Sequence, residues 1–408
     1  MKGAMSGMPI KRVLQVHNRY VWSPGGEISV LESEAELLRA HGVEVEQFFV
    51  DNPDEISGLG NKLKAAKNIV WSNDGLQMVR KAIQQSKPDI VHVHNFFIHL
   101  SPSVYKACNL EGVPVVQTLH NFRTCCAQAA FMRDGRACQD CVGRFPFPAL
   151  KHKCYRGSLS ATVPLVLMQQ VNRWNGAFTH MCDGYICLSE FAKEIFARSG
   201  LPVDRIHIKP NFAADHGASA KPRENKMVFV GRIVEEKGPH VLVDAWLKAQ
   251  PKGWTCHILG EGEMKDALMA KSQDCPSLVW HGWVQKDEVE EFIQTSKYVV
   301  MTSTCYEGFP LALAEALSFG TPAIVPNHGA MPEIMQCPDV GLAANPSDPE
   351  DFARVITEAA SLPDTNWQTR SQAARHRFEG NYTPEINFHQ LMEIYQKVDE
   401  SPHRRRSR

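Results

Sequence analysis

The chain is predicted to be an α/β protein of two doubly wound domains, each built on a parallel sheet. Three observations carry this. Short apolar runs alternate along the chain with longer amphipathic ones. Most of the short runs are apolar on both alternating faces, the pattern of strands covered from two sides. The alternation also runs twice, once on either side of a polar stretch at 215–226 (DHGASAKPRENK) that reads as a linker. Alternating strands and helices imply right-handed βαβ units. Their ligands bind beyond the carboxyl ends of the strands, so two facing sheets are expected to leave a cleft between them.

In the first half, strands are expected at 13–16 (VLQV), 43–50, 89–94 (DIVHVH), 113–119, 184–188 and 205–208. In the second half they are expected at 227–230 (MVFV), 255–259, 278–280, 298–301 (YVVM) and 323–325. Residues 27–40 are apolar at Ile28, Leu31, Ala35 and Leu38, with Gly42 as a stop, and so form a helix. Segments 240–249, 287–294 and 311–319 behave alike, and 351–360 and 385–398 close the chain as helices. The expected domains are 1–214, including a Cys-rich basic loop at 121–160, and 215–384. A helix at 385–400 is expected to pack back towards the first domain, ahead of a disordered tail at 401–408.

Composition narrows the class. The chain has 408 residues, 43% hydrophobic and 22% charged, which excludes a disordered, fibrous or coiled-coil protein. Its best apolar stretch, 161–168, is too short to span a bilayer and contains Pro164. The opening residues lack the apolar core of a signal peptide, so a cytoplasmic location is expected. A net charge of −1 argues against nucleic acid as a partner. The charge is uneven: residues 1–200 hold 22 Lys and Arg against 17 Asp and Glu, and the remainder 22 against 28. Seven basic and two acidic residues fall in 121–160, which locates the excess.

Several loops carry chemistry. Gly25 and Gly26 precede the first helix, where glycines let amides approach a ligand and the helix end favours an anion; a flexible turn is the plain alternative. Their spacing is not G-x-G-x-x-G, which argues against a dinucleotide dehydrogenase. Arg232 and Lys237 follow the strand MVFV in GRIVEEKG, where two fixed cations suit a diphosphate leaving group. LGEGE at 259–263 is a glycine turn after a strand. HGWV at 281–284 can offer the amides of Trp283 and Val284 to a nucleobase. In 303–325 (STCYEGFPLALAEALSFGTPAIV), Pro310 suits the first turn of a helix whose positive end carries the amides of Gly308 and Phe309. Glu307 lies in the loop before that helix and Glu315 within it. Two such carboxylates suit the hydroxyls of a sugar and of a ribose.

Together, GGE near residue 25, LHNF at 119–122, LSEFAKEIFARSG at 188–200, IKPNFAAD at 208–215, GRIVEEKG, LGEGE, HGWV and YEGFPLALAEALSFGTP come in one order. This set resembles the retaining glycosyltransferases of family 4, of the bacterial surface-polysaccharide type, with the GT-B fold of two Rossmann-like domains. The resemblance covers nearly the whole chain, and its E-x7-E stretch is the specific part. It implies transfer of a hexose from a nucleotide-diphosphate sugar to a glycan or lipid-linked glycan acceptor. Arg232 and Lys237 would hold the diphosphate, Glu315 the ribose and Glu307 the sugar hydroxyls. The amides of Gly25, Gly26, Gly308, Phe309 and Leu311 would surround phosphate and sugar, and His120 would face the donor sugar. No D-x-D occurs in the chain, so no cofactor is expected to be required and the two cations carry the electrostatic role. An epimerase of the same fold and a catalytically silent sugar-nucleotide-binding assembly protein are the alternatives.

Cys126, Cys138, Cys141 and Cys154 form a C-x11-C-x2-C-x12-C series. It suits either a structural four-thiolate zinc site or reduced, unligated thiols. The basic residues around it, with Phe145, Phe147 and the apolar run after Ser160, suit either a solvated loop or peripheral contact with an anionic inner-membrane surface.

Overall fold

The structure is a computed structural model that describes residues 10–20, 26–52, 58–217, 219 and 221–400. It divides into two compact units. The first takes in the chain up to Ala129, Gln139–Lys209 and the chain from Asn387; the second takes in Ala130–Cys138 and Pro210–Ile386.

The first unit contains β1 (Arg12–Tyr20), α1 (Gly26–Ala40), β2 (Glu44–Asn52), α2 (Leu59–Val70), α3 (Asn73–Ser86), β3 (Ile90–Asn95), α4 (Ser103–Glu111) and β4 (Val115–Thr118). The chain then makes a two-stranded hairpin, β5 (Met132–Arg133) with β6 (Arg136–Ala137), that belongs to the second unit. It returns through α5 (Phe147–Lys151), α6 (Leu159–Trp174), β7 (Gly184–Cys187), α7 (Glu190–Arg198) and β8 (Ile206–Ile208). The sheet order is β2-β1-β3-β4-β7-β8, all parallel. Strands β3, β4 and β7 are buried at every residue, as their two-sided apolar pattern requires. Ser189 ends the loop before α7 by accepting the Ala192 amide at 3.2 Å, which explains the start of the SEFAKE helix.

The second unit follows with β9 (Glu224–Val230), α8 (Pro239–Ala249), β10 (Thr255–Leu259), α9 (Lys265–Lys271), β11 (Leu278–Gly282), α10 (Lys286–Thr295) and β12 (Ser296–Val300). It continues with α11 (Leu311–Ser318), β13 (Ala323–Pro326), α12 (Met331–Ile334), β14 (Leu342–Ala344), α13 (Pro349–Ser361), α14 (Asp364–Asn381) and α15 (Pro384–Asp399). Its parallel sheet runs β11-β10-β9-β12-β13-β14, the order of a doubly wound nucleotide-binding domain. Trp246, Phe352 and Tyr298 fill its core with no exposed surface. From Asn387 onward α15 packs in the first unit, where the Tyr395 hydroxyl meets His92 at 2.8 Å and Val398 lies against Gly184.

Two expectations change. Residues 121–160 carry a hairpin and a short helix, with the apolar run after Ser160 forming most of α6. The LGEGE glycines are backbone spacers. The Gly231 amide donates to the Leu259 carbonyl at 3.0 Å and the Ile233 amide to the Glu261 carbonyl at 2.8 Å, so the two loops run in contact. Gly260 has φ +143, and a Cβ there would collide with the Gly231 carbonyl oxygen. Gly260→Ala is therefore expected to cost at least about 2 kcal/mol and to lower the thermal midpoint by several degrees. Differential scanning calorimetry checks this; an unchanged midpoint contradicts the close approach.

Candidate functional site

The strand order of the second unit reverses between β9 and β12, since β10 lies on one side of β9 and β12 on the other. Loops leaving the carboxyl ends of these two strands border the crevice where such sheets bind ligands. Arg232 and Lys237 follow β9; Ser303 and Glu307 follow β12. The Lys237 ammonium donates to Glu307 Oε1 at 2.6 Å and the Ser303 hydroxyl to the same oxygen at 2.7 Å. Glu307 Oε2 receives no hydrogen bond among the described residues. Burial pushes the Glu307 carboxyl up. The Lys237 charge, the two hydrogen bonds and the Arg232 charge outweigh it and hold the group below the usual carboxylate range. Arg232 is exposed and makes no ion pair among the described residues. The loop thus holds an ionised carboxylate with one open oxygen, a paired ammonium and an unpaired guanidinium.

Helix α11 begins at Leu311 after Pro310, so the first-turn amides are the orphan donors of a helix end. Gly308 and Phe309 lie in the loop immediately before it, and the Phe309 carbonyl accepts from Asn211 at 3.4 Å. Glu315 stands just over one turn into the helix; burial pushes its carboxyl up, with Lys286 opposing and Glu290 adding. Trp283 is 68% exposed, but its amide is engaged by the Glu261 carboxylate, so of the HGWV pair the indole face rather than the Trp283 amide is on offer. Gly26 opens α1 in the first unit, and Gly25 lies outside the described residues.

Sequence reasoning missed three neighbours. Ser303 completes the Glu307 oxygen. His328 Nε2 sits 3.0 Å from the Ser303 carbonyl, with its ring edge towards Tyr306. The β5–β6 hairpin borders the same loops: the Ala130 carbonyl accepts the Tyr306 amide at 3.2 Å and Met132 Sδ lies 3.5 Å from the Thr304 hydroxyl.

In the first unit the GGE and LHNF motifs meet. Glu27 accepts from Asn121 at 2.8 Å and Asn95 at 3.4 Å, and burial raises its carboxyl against these donors and Arg123. His120, beside Asn121, ends a buried chain that nothing in the sequence announced. Lys209 of IKPNF donates to Glu34 Oε2 at 3.1 Å and to Asn387 at 3.0 Å. Burial pushes the Glu34 carboxyl up, and Lys209 with His92 and His94 more than reverses this, holding it well below the usual range. Its Oε1 lies 3.0 Å from His92 Nδ1 and 3.4 Å from His94 Nε2. His94 Nδ1 lies 3.0 Å from His120 Nε2.

Burial lowers His94 to about 4 and His120 well below the imidazole range, each mainly by desolvation and then by a neighbouring histidine. His94 Nε2 makes no hydrogen bond among the described residues, so its approach to the Glu34 carboxylate at 3.4 Å is electrostatic.

Glu34, His92 and His94 are also the only His, Cys, Asp or Glu trio among the described residues with ligand atoms within 4.8 Å of one another. Lys209 already neutralises this carboxylate, so the trio is a hydrogen-bonded network and not a cation cage. Cys126, Cys138, Cys141 and Cys154 form no such group among the described residues. The residues as folded do not fit the tetrahedral zinc site that their spacing suggested.

The model described as Glycosyltransferase Family 4 matches residues 24–214, and that described as Glycosyl transferases group 1 matches 211–376. The chain belongs to the glycosyltransferases: the two models together take in residues 24–376. It is 25% identical over 185 residues to the amylovoran biosynthesis glycosyltransferase AmsK of Erwinia amylovora, a match taking in 42% of this chain and 45% of that protein. It is 32% identical over 190 residues to the lipopolysaccharide 1,6-galactosyltransferase of Escherichia coli, covering 43% of this chain and 52% of that one. The chain thus spans about half the length of each of these two curated relatives. Among solved structures it is similar to Anabaena Alr3699/HepE in complex with UDP and glucose, with a TM-score of 0.65 at 15% identity over 95% of this chain and 100% of that one. That likeness shows the GT-B fold of two Rossmann-like domains.

Two buried histidines of the first unit, His17 on β1 and His94 on β3, set a pH dependence. Unfolded histidines take up protons near pH 6.5, whereas folded His17 does so near 3, burial being the main cause, and His94 near 4. Their stabilising contribution is complete above pH 6.5 and is lost as the pH falls from there towards 4. With two such groups, stability is expected to fall by on the order of 3 kcal/mol per pH unit around pH 5. Urea unfolding between pH 7 and 4.5 checks the slope, and a flat profile contradicts buried neutral rings.

Proposed function

We propose that the protein is a retaining hexosyltransferase that moves a sugar from a nucleotide-diphosphate donor to a glycan or lipid-linked glycan acceptor in surface-polysaccharide synthesis, on the cytoplasmic side of the membrane. One observation carries the reading: the Lys237–Glu307–Ser303 cluster with Arg232 at the strand-order reversal. Arg232, which has no anionic partner among the described residues, and Lys237 receive the diphosphate and neutralise the charge that builds on it as the glycosidic bond breaks. Glu307 Oε2 accepts from hydroxyls of the transferred sugar, and Glu315 from the ribose diol. The orphan amides at the start of α11 face phosphate oxygens. His120 faces the donor sugar, the part that the family resemblance gives it.

In a retaining transfer on this site the acceptor hydroxyl attacks from the face that the diphosphate leaves, and a departing phosphate oxygen takes its proton. Glu307 then orients the sugar without forming a bond to it. Its pairing with Lys237 suits this part, since an ammonium against the carboxylate weakens it as a nucleophile. Because the cations meet the diphosphate charge, no metal is required. The names of AmsK and of the galactosyltransferase support the polysaccharide setting, and the UDP–glucose complex of Alr3699/HepE supports a nucleotide-sugar donor.

A thermal-shift screen with UDP, GDP and ADP, then with their sugars, identifies the base. Against the matching donor, Lys237→Ala and Arg232→Ala are each expected to lower kcat/KM by about 10²–10³-fold with the protein still folded. Glu307→Gln is expected to lower kcat more than it lowers stability. Near-normal turnover in either cation variant contradicts the electrostatic role. Absence of nucleotide release from every donor favours a silent binding protein, and an epimerised nucleotide sugar appearing without acceptor favours an epimerase.

A further inference from the structure

Helix α6 buries Leu165, Val166 and Met168 together with Thr162, Gln169, Gln170 and Asn172, and its outward face carries a second apolar stripe of Leu159, Val163, Leu167 and Trp174. These four are 48%, 36%, 47% and 78% exposed, and their spacing of four, four and seven residues sets them along one face. The buried polar groups have partners that fix the orientation. Gln169 donates to the Arg123 carbonyl at 2.9 Å, and Asn172 donates to the Val70 carbonyl of α2 at 2.9 Å. The apolar stripe therefore cannot rotate inward without breaking these bonds.

Helix α2 packs beside α6 and extends the face. Ala66, Lys67 and Val70 line an open hollow of about 550 Å³ with Leu159, Val163 and Leu167, and Leu63 is 64% exposed. The short helix α5, packed on α6, leaves Phe147 63% exposed. Exposed cations accompany this apolar surface: Lys62 and Lys67 on α2, and Lys151, Lys153 and Arg156 before α6. No Asp or Glu occurs in α2 or anywhere in residues 142–182. A contiguous exposed apolar strip in a folded chain marks an interaction surface.

We infer that the α2–α6 face docks on the surface of an anionic lipid bilayer. Aliphatic side chains and an exposed Trp enter the boundary between headgroups and acyl chains, and the acid-free set of lysines and arginines meets the lipid phosphates. A second copy of the chain fits poorly, because a two-fold contact through this face would bring like charges together. The docking deepens the proposed use of a lipid-linked acceptor, for it would hold the first unit at the plane where such an acceptor lies. It rests on that reading only for its purpose.

The test is co-sedimentation of the full-length protein with vesicles of phosphatidylcholine alone or with about 30% phosphatidylglycerol. Binding is expected only with phosphatidylglycerol, and it should weaken as salt rises. Val163→Glu with Leu167→Glu is expected to lower binding at least tenfold. Lys151→Gln, Lys153→Gln and Arg156→Gln together should lower it by on the order of a hundredfold. Nucleotide release from the donor in detergent-free buffer should be unchanged in both variants, which separates this inference from the transferase reading. Equal binding to neutral and anionic vesicles, or undiminished binding by both variants, overturns it. So does an analytical ultracentrifugation result in which the wild-type chain is a dimer that Leu167→Glu dissociates and that ignores vesicles.

Discussion

Glu307 stays ionised in a largely buried loop only because the Lys237 ammonium lies 2.6 Å away and Ser303 donates to the same carboxylate oxygen. The pair is a constraint in both directions. An unpaired carboxylate at this depth would be protonated, and removing one partner of such a pair costs several kcal/mol. Both donors share Oε1, which leaves Oε2 without a hydrogen bond among the described residues.

The sheet supplies the position. Since β9 and β12 are neighbours whose chains depart to opposite sides, their loops can hold a ligand between them without a helix crossing over it. Tight backbone packing sets the loop from β9. Gly238 at φ +65 lies so close to the Thr302 carbonyl that no side chain fits, which ties the residue after Lys237 to the strand end that leads to Glu307. The first unit repeats the principle with a buried Glu34–Lys209 pair. There the carboxylate lies against His92 and His94, and His94 in turn is hydrogen-bonded to His120.

Much of this was legible in the sequence. Every strand buried on both faces announced itself as an apolar run, and the loops around Arg232, Lys237, Glu307 and Glu315 stood out by motif. What escaped has physical reasons. Strand β14 is only LAA, without β-branched residues. Helix α14 buries just Trp367, Ala374 and Phe378, too few to write a helical period. Glu34 sits in ESEAELL, where it resembles its exposed neighbours, and its partner Lys209 is 175 positions away. His92 and His94 read as members of an apolar strand. The DG turn of the hairpin carried a signal, but two-residue strands are too short for periodicity. The four cysteines followed spacing rules that the path of the chain does not honour.

The most direct measurement is a crystal structure of the chain with the nucleoside diphosphate that stabilises it most. Both phosphates are expected at the ends of β9 and β12, with oxygens within hydrogen-bond distance of Lys237 Nζ and the Arg232 guanidinium and with Glu307 still against Ser303. Phosphates bound away from that pair of strand ends, with Lys237 and Glu307 undisturbed and solvent-filled, would contradict it.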